Sequence, residues 1–196
     1  MDWSSNREDM ASTGENLALM IGGSALALTA LASPFLIVPA IYRIPWMVTP
    51  KRVIVKALDK VGEGRGKSFI DLGSGDGRLV IESAKRGYTS IGFELNPVLV
   101  TTSIVSARLA GVNRSTSFRS RDFWQSSLEA ADVVSCFGIA PVMDRLSKKM
   151  VIEAKPGTKL VCFRFRPKLP PRELVLVYGN PKEELFIYEV RRKGGN

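Results

Sequence analysis

Beyond Thr49 the hydrophobic positions follow two alternating periods. From Pro50 to Val61 they fall on one helical face, Val53, Ile54, Ala57, Leu58 and Val61, which predicts an amphipathic helix. Gly62, Gly64 and Gly66 interrupt the pattern and predict a turn. Short apolar runs then predict strands at Ser68 to Leu72, Thr89 to Leu95, Thr116 to Arg119, Asp132 to Phe137 and Thr158 to Phe163. Helical stretches are expected between them, over Asp76 to Arg86, Pro97 to Ala110 and about Val142 to Ala154. Strand and helix in alternation predict an α/β fold, a mostly parallel sheet with helices on both faces. Two further runs, Glu173 to Tyr178 and Leu185 to Val190, are joined by Gly179-Asn180-Pro181-Lys182 and predict a hairpin that adds antiparallel strands at the edge.

The first part of the chain has a different pattern. Residues 1–16 form a polar tail with Asp2, Glu8, Asp9 and Glu15 against Arg7 alone, and positions 16 to 42 carry no Asp, Glu, Lys or Arg. As a helix, Leu17 to Ile41 would span roughly 37 Å, against about 30 Å of bilayer hydrocarbon. Gly22, Gly23, Ala25, Ala27, Ala30 and Ala32 suit a membrane helix. Pro34 and Pro39 keep open the alternative of a buried or interfacial helix. The acidic tail argues against a secretory signal peptide and against a standard Arg-rich presequence. The expected organisation is therefore an acidic tail at 1–16, a transmembrane or targeting segment at 17–42 and one folded domain at 43–196.

Composition narrows the chemistry. Subtracting one basic and four acidic tail residues from the chain totals of 28 and 19 leaves 27 and 15 from Arg43 onward. The positive-inside rule then puts the domain on the cytosolic side of a membrane, or the matrix side if the membrane is mitochondrial. A basic domain also suits nucleic acid or anionic lipid. The chain has no histidine, which excludes Ser-His-Asp and Cys-His nucleophile systems and every metal site that needs imidazole. No metal is expected. Cys136 and Cys162 sit in apolar runs and read as small buried hydrophobes.

The candidate chemistry lies in Phe69-Ile70-Asp71-Leu72-Gly73-Ser74-Gly75-Asp76-Gly77-Arg78, a strand running into a glycine loop and a helix. Glycines there admit a ligand close to the backbone. The next strand ends in Glu94, 23 residues after Asp71, where a carboxylate can accept hydrogen bonds from ribose hydroxyls. Asp122 follows 28 residues later, placed to receive an adenine amino group. A dinucleotide site needs room for a pyrophosphate, which Asp71 would repel. S-adenosylmethionine carries a sulfonium and an ammonium, which Asp71 favours. The loop thus points to S-adenosylmethionine, with NAD(P) and a purely structural turn as the other readings. Asp76 reads equally well as a helix N-cap with no ligand role.

The Asp-Leu-Gly-Ser-Gly-Asp-Gly loop followed by Gly-Phe-Glu-Leu-Asn-Pro resembles the class I, seven-strand, Rossmann-like methyltransferases. With Asp122-Phe123-Trp124 and Phe137-Gly138-Ile139-Ala140-Pro141, it is more narrowly similar to the small mitochondrial protein-lysine methyltransferases of the ATP synthase c-subunit and the adenine nucleotide translocase. The Val-Val-x-x-Phe-Gly strand and the anchor look more like the enzymes that modify the ATP synthase. That resemblance implies that Asp71, Gly73 and Gly75 hold the methionine part of S-adenosylmethionine, Glu94 its ribose and Asp122 its adenine, with Trp124 lining the substrate entrance. It also implies a single-pass protein of the mitochondrial inner membrane with its domain in the matrix. Asn96 reads as the N-cap of the helix that follows. The family usually has an aromatic residue where Val98 stands, and a Phe-Pro-rich segment in place of Arg164-Phe165-Arg166-Pro167-Lys168-Leu169-Pro170.

Methyl transfer to an amine needs no protein nucleophile, and positioning supplies most of the catalysis. No general base is assigned. Neutralising a free lysine at pH 7 costs about 4.6 kcal/mol, which desolvation beside a cation would reduce. An RNA methyltransferase is the alternative that the charge and Arg114, Arg119 and Arg121 suggest, but no Asn-Pro-Pro-Tyr-type motif follows the fourth strand. A non-catalytic membrane assembly factor is the third reading, and the intact loop weighs against it.

Overall fold

The computed structural model describes residues 49–191. The expected tail and the expected membrane segment lie outside that range, and among the described residues no helix is long and apolar enough to cross a membrane.

Helix α1 (Lys51–Val61) buries the five apolar positions that its period predicts and stops at Gly62, whose φ of 90° no other residue adopts cheaply. Seven strands follow: β1 (Ser68–Leu72), β2 (Thr89–Glu94), β3 (Thr116–Ser120), β4 (Val133–Cys136), β5 (Lys159–Phe163), β6 (Leu174–Asn180) and β7 (Leu185–Val190). They form one sheet in the order β3-β2-β1-β4-β5-β7-β6. The first five are parallel, and β7 is antiparallel to both of its neighbours. Helices α2 (Arg78–Lys85), α3 (Pro97–Leu109) and α4 (Ala140–Glu153) connect the parallel strands, with a 3₁₀ turn at Phe123–Gln125 after β3.

Because side chains alternate across a strand, the sheet feeds two cores. Phe69, Val133, Val161, Phe163, Leu185 and Ile187 pack against α1 and Leu79 of α2. Ile70, Leu72, Val134, Cys136, Leu160, Cys162, Phe186 and Tyr188 pack against Met143, Leu146 and Met150 of α4. Both cysteines are buried, as expected, and burial pushes their thiols up in pKa.

The expected class of fold is present, with differences at element ends. Helix α2 begins at Arg78 rather than Asp76, since Gly75 and Gly77 hold φ of 54° and 77° and delay the first turn. Helix α4 begins earlier, at Ala140, with Pro141 in its first turn, where a missing N–H costs nothing. The terminal hairpin lies at the edge, but its second strand does not: β7 is inserted between β5 and β6. Its link is a 3₁₀ turn at Pro181–Glu183 in which Asn180 Oδ1 accepts from the Lys182 and Glu183 N–H groups at 3.1 and 3.3 Å.

Strand order reverses between β1 and β4, which both run parallel, so the connections after them leave in opposite directions. The crevice this opens at the carboxyl ends of the strands is where open α/β sheets bind ligands.

Candidate active site

At that crevice β1 passes into the loop of residues 73–77. Gly73, Gly75 and Gly77 have φ of 82°, 54° and 77°, the left-handed region that glycine alone enters freely. The loop is fastened from beneath. The Gly73 and Ser74 N–H groups both donate to the Phe93 carbonyl at 2.9 Å, and Ser103 Oγ of α3 donates to the Gly75 carbonyl at 3.1 Å. Two glycines are also needed for close packing. A Cβ on Gly92 would stand 2.6 Å from Ser74 Oγ, and one on Gly77 would stand 2.7 Å from Ser103 and Phe118. A Cβ on Gly73 would meet no atom within 4 Å, so this glycine presents bare backbone to open space.

Three acids surround the loop. Asp71, in β1 beneath it, is buried and its Oδ1 accepts from Ser135 Oγ of β4 at 2.6 Å. Glu94 ends β2, with one carboxylate oxygen accepting from the Gly75 N–H at 3.0 Å and the other from the Asn96 N–H at 2.9 Å. Asp76 receives the Arg78 guanidinium, Nε at 2.9 Å, and this pairing holds its carboxyl below the usual carboxylate range. Burial pushes the Asp71 carboxyl up to about 7; the Ser135 hydroxyl opposes the rise, and the charges of Glu94 and Asp76 add to it.

Of the residues singled out from the sequence, Asp71, Gly73, Gly75 and Glu94 converge on the loop. Asp122 stands one residue beyond Arg121, whose N–H donates to the Glu94 carbonyl at 3.2 Å. One Asp122 oxygen caps the 3₁₀ turn by accepting from the Trp124 N–H at 3.0 Å. Trp124 is half-buried at the same edge, with the Arg145 guanidinium of α4 3.9 Å above its ring and Phe123 at 4.7 Å. Asn96 is the N-cap of α3, accepting from the Val98 N–H at 3.0 Å. Asp76 does not hold the N-cap position of α2, which is Gly77.

Sequence reasoning does not reach Ser135 and Ser103. Ser135 has a signal, a lone hydroxyl in the apolar run Val133-Val134-Ser135-Cys136. Ser103 has none, because its contact is with a loop 28 residues away.

The chemistry of the donor set fits S-adenosylmethionine. Asp71 is a buried carboxylate whose side-chain partner is a hydroxyl, and its acidic neighbours make the crevice hostile to a phosphate and favourable to a cation. Open space over Gly73 leaves room for such a group against the backbone.

Comparison with known proteins agrees. The family model described as the ANTKMT methyltransferase domain matches residues 71–173. The ATP synthase c-subunit lysine N-methyltransferase of Mus musculus is 34% identical over 90% of this chain and 70% of its own length. Adenine nucleotide translocase lysine N-methyltransferase of Mus musculus is 33% identical over 80% of this chain and 68% of its own length. Among solved structures, an RNA methyltransferase from Salinibacter ruber in complex with S-adenosyl-L-homocysteine superimposes with a TM-score of 0.67 and 27% identity, covering 75% of this chain and 95% of that one. The matched stretch begins at the buried Asp71 and runs through the glycine loop, Glu94 and Trp124, so the elements that build this crevice are the ones that place the chain in the ANTKMT methyltransferase domain family.

Proposed function

We propose that this protein is an S-adenosylmethionine-dependent protein-lysine N-methyltransferase whose substrate is the ATP synthase c-subunit of the mitochondrial inner membrane. The observation that carries the reading is the buried Asp71 beneath an open glycine loop, in a chain a third identical to enzymes named for that substrate. Asp71, Gly73 and Gly75 are assigned to the methionine part of the cofactor, Glu94 to its ribose, Asp122 to its adenine and Trp124 to the substrate entrance. Residues 17–42 are assigned to a single crossing of the inner membrane, with the domain at 43–196 in the matrix. The basic balance after Arg43 supports that orientation.

When bound, S-adenosylmethionine would supply an electrophilic methyl group on a sulfonium for transfer to a neutral lysine amine. The chain's part is to bind, orient and desolvate. Asp71 and Glu94 are assigned to hold one partner in place, and the half-buried Trp124, beneath the Arg145 guanidinium, is assigned to the entrance where the lysine is desolvated.

The adenine nucleotide translocase is the second reading, supported by the relative named for it. Incubating the full chain with labelled methyl donor and mitochondrial membranes from cells lacking the protein separates the possibilities. Label in a lysine of the ATP synthase c-subunit is the expected result, and label in the translocase selects the second reading. Label in RNA, or none in protein, overturns both.

A further inference from the structure

Between β5 and β6, residues 164–173 run as a strap without regular secondary structure. It leaves the sheet at the carboxyl end of β5, the same edge as the glycine loop and Trp124. Phe165 packs inward on the core beneath α4, and Pro167 is buried. The Arg166 guanidinium lies 4.9 Å above the Phe186 ring, and the Lys168 N–H donates to Asp144 Oδ1 of α4 at 2.7 Å. The strap is therefore pinned at several points, and what it leaves outward is fixed. Leu169, immediately after the Asp144 contact, is 85% exposed. Lys168, Pro170 and Arg172 are exposed beside it. Of the nearby carboxylates, Asp144 is engaged by backbone and Glu184 lies 3.8 Å from Arg164.

We propose that this strap is a contact for the surface of an anionic phospholipid bilayer, with Leu169 entering the headgroup region and Lys168 and Arg172 meeting lipid phosphates. An aliphatic tip between cations matches that interface, where apolar insertion and attraction to negative lipid act together. A single-stranded nucleic acid would instead need outward aromatic rings to stack on, and the strap's aromatic, Phe165, faces inward. Seated this way, the strap holds the mouth of the site beside the membrane. The purpose of the contact rests on the membrane-embedded substrate proposed above; the contact itself does not.

The test uses the full chain reconstituted into vesicles, with Leu169→Cys labelled at that position by an environment-sensitive fluorophore. Cys136 and Cys162 are buried and do not compete for the label. Phosphatidylcholine vesicles containing phosphatidylglycerol should give a blue shift that phosphatidylcholine alone does not, and high salt should remove it. Adding Lys168→Glu and Arg172→Glu should abolish most of the shift, and a probe at Glu129→Cys should not respond to lipid charge. Equal emission in the two vesicle types, or a shift reproduced by soluble RNA or an acidic peptide, overturns the proposal. Emission is read without any methyl transfer, so a failure of the enzymatic reading is seen separately.

Discussion

Asp71 shows how a single carboxyl can couple folding to ligand binding. Its pKa rises from the ordinary 3.8 to about 7, chiefly through burial, so the folded chain holds a proton that the unfolded chain has released. A raised carboxyl pKa contributes stability that is complete below pH about 4 and is lost as the pH climbs through 7. The ligand-free protein should lose up to about 4 kcal/mol across that window, at 1.36 kcal/mol per unit. Urea unfolding at a series of pH values, wild type against Asp71→Asn, checks this: the difference between the two should drift over pH 4–7 and be level above it. A pH-independent difference would contradict the assignment. Binding a cation requires the ionised form, so cofactor affinity should rise over the same interval. Ser135→Ala removes the hydroxyl that holds the pKa down, and calorimetry should show affinity about tenfold weaker at pH 7 with recovery at higher pH. Ser135→Thr should restore the profile, whereas a merely structural role would weaken binding equally at every pH.

Among the elements, the strand–loop–helix unit is the most legible in the sequence, because glycine, acid and apolar run each constrain the backbone in a different way. Asp71, Gly73, Gly75 and Glu94 can be singled out because their chemistry is written in their side chains or in the lack of one. The reasons for Gly77 and Gly92 are not legible, since they depend on Ser103, Phe118 and Ser74, neighbours across the fold. The two classes of glycine should respond differently to alanine. Gly73→Ala faces only the left-handed penalty, about 1–2 kcal/mol, and should weaken cofactor binding out of proportion to stability. Gly77→Ala adds the clash with α3 and β3 and should cost about 2–4 kcal/mol. Thermal unfolding and calorimetry on both variants separate the effects; equal losses of stability would refute the distinction. The starts of α2 and α4 differ from expectation for local reasons, a run of positive φ in one and a first-turn proline in the other.

At the scale of the whole molecule, the alternating pattern can give strands and helices, but not the order in which β6 and β7 join the sheet. Both runs are apolar, and nothing local says which lies inside. The structure gives β7 to the interior, burying Leu185, Phe186, Ile187 and Tyr188 in both cores, while Leu176 and Val177 of β6 are 45% and 43% exposed. Ile187→Ala should therefore cost about 3 kcal/mol and Leu176→Ala less than about 1 kcal/mol, measured by chemical denaturation. A reversed ranking would show the sheet order to be wrong. The charge is a similar case. Its sign alone suggests anionic partners, but which cations stand outward beside an exposed leucine is visible only once the strap is pinned in space.

The place of β7 also has a consequence in time. This strand is the last of the seven to be synthesised, yet it lies between two that were made before it, and it completes both hydrophobic layers at once. Until then β5 has an open flank, a template for pairing with other chains. The crevice at β1 and β4 is thus held by a sheet that cannot close until β7 is free of the ribosome, and a chaperone that covers the flank of β5 would keep the nascent domain unlocked for that interval.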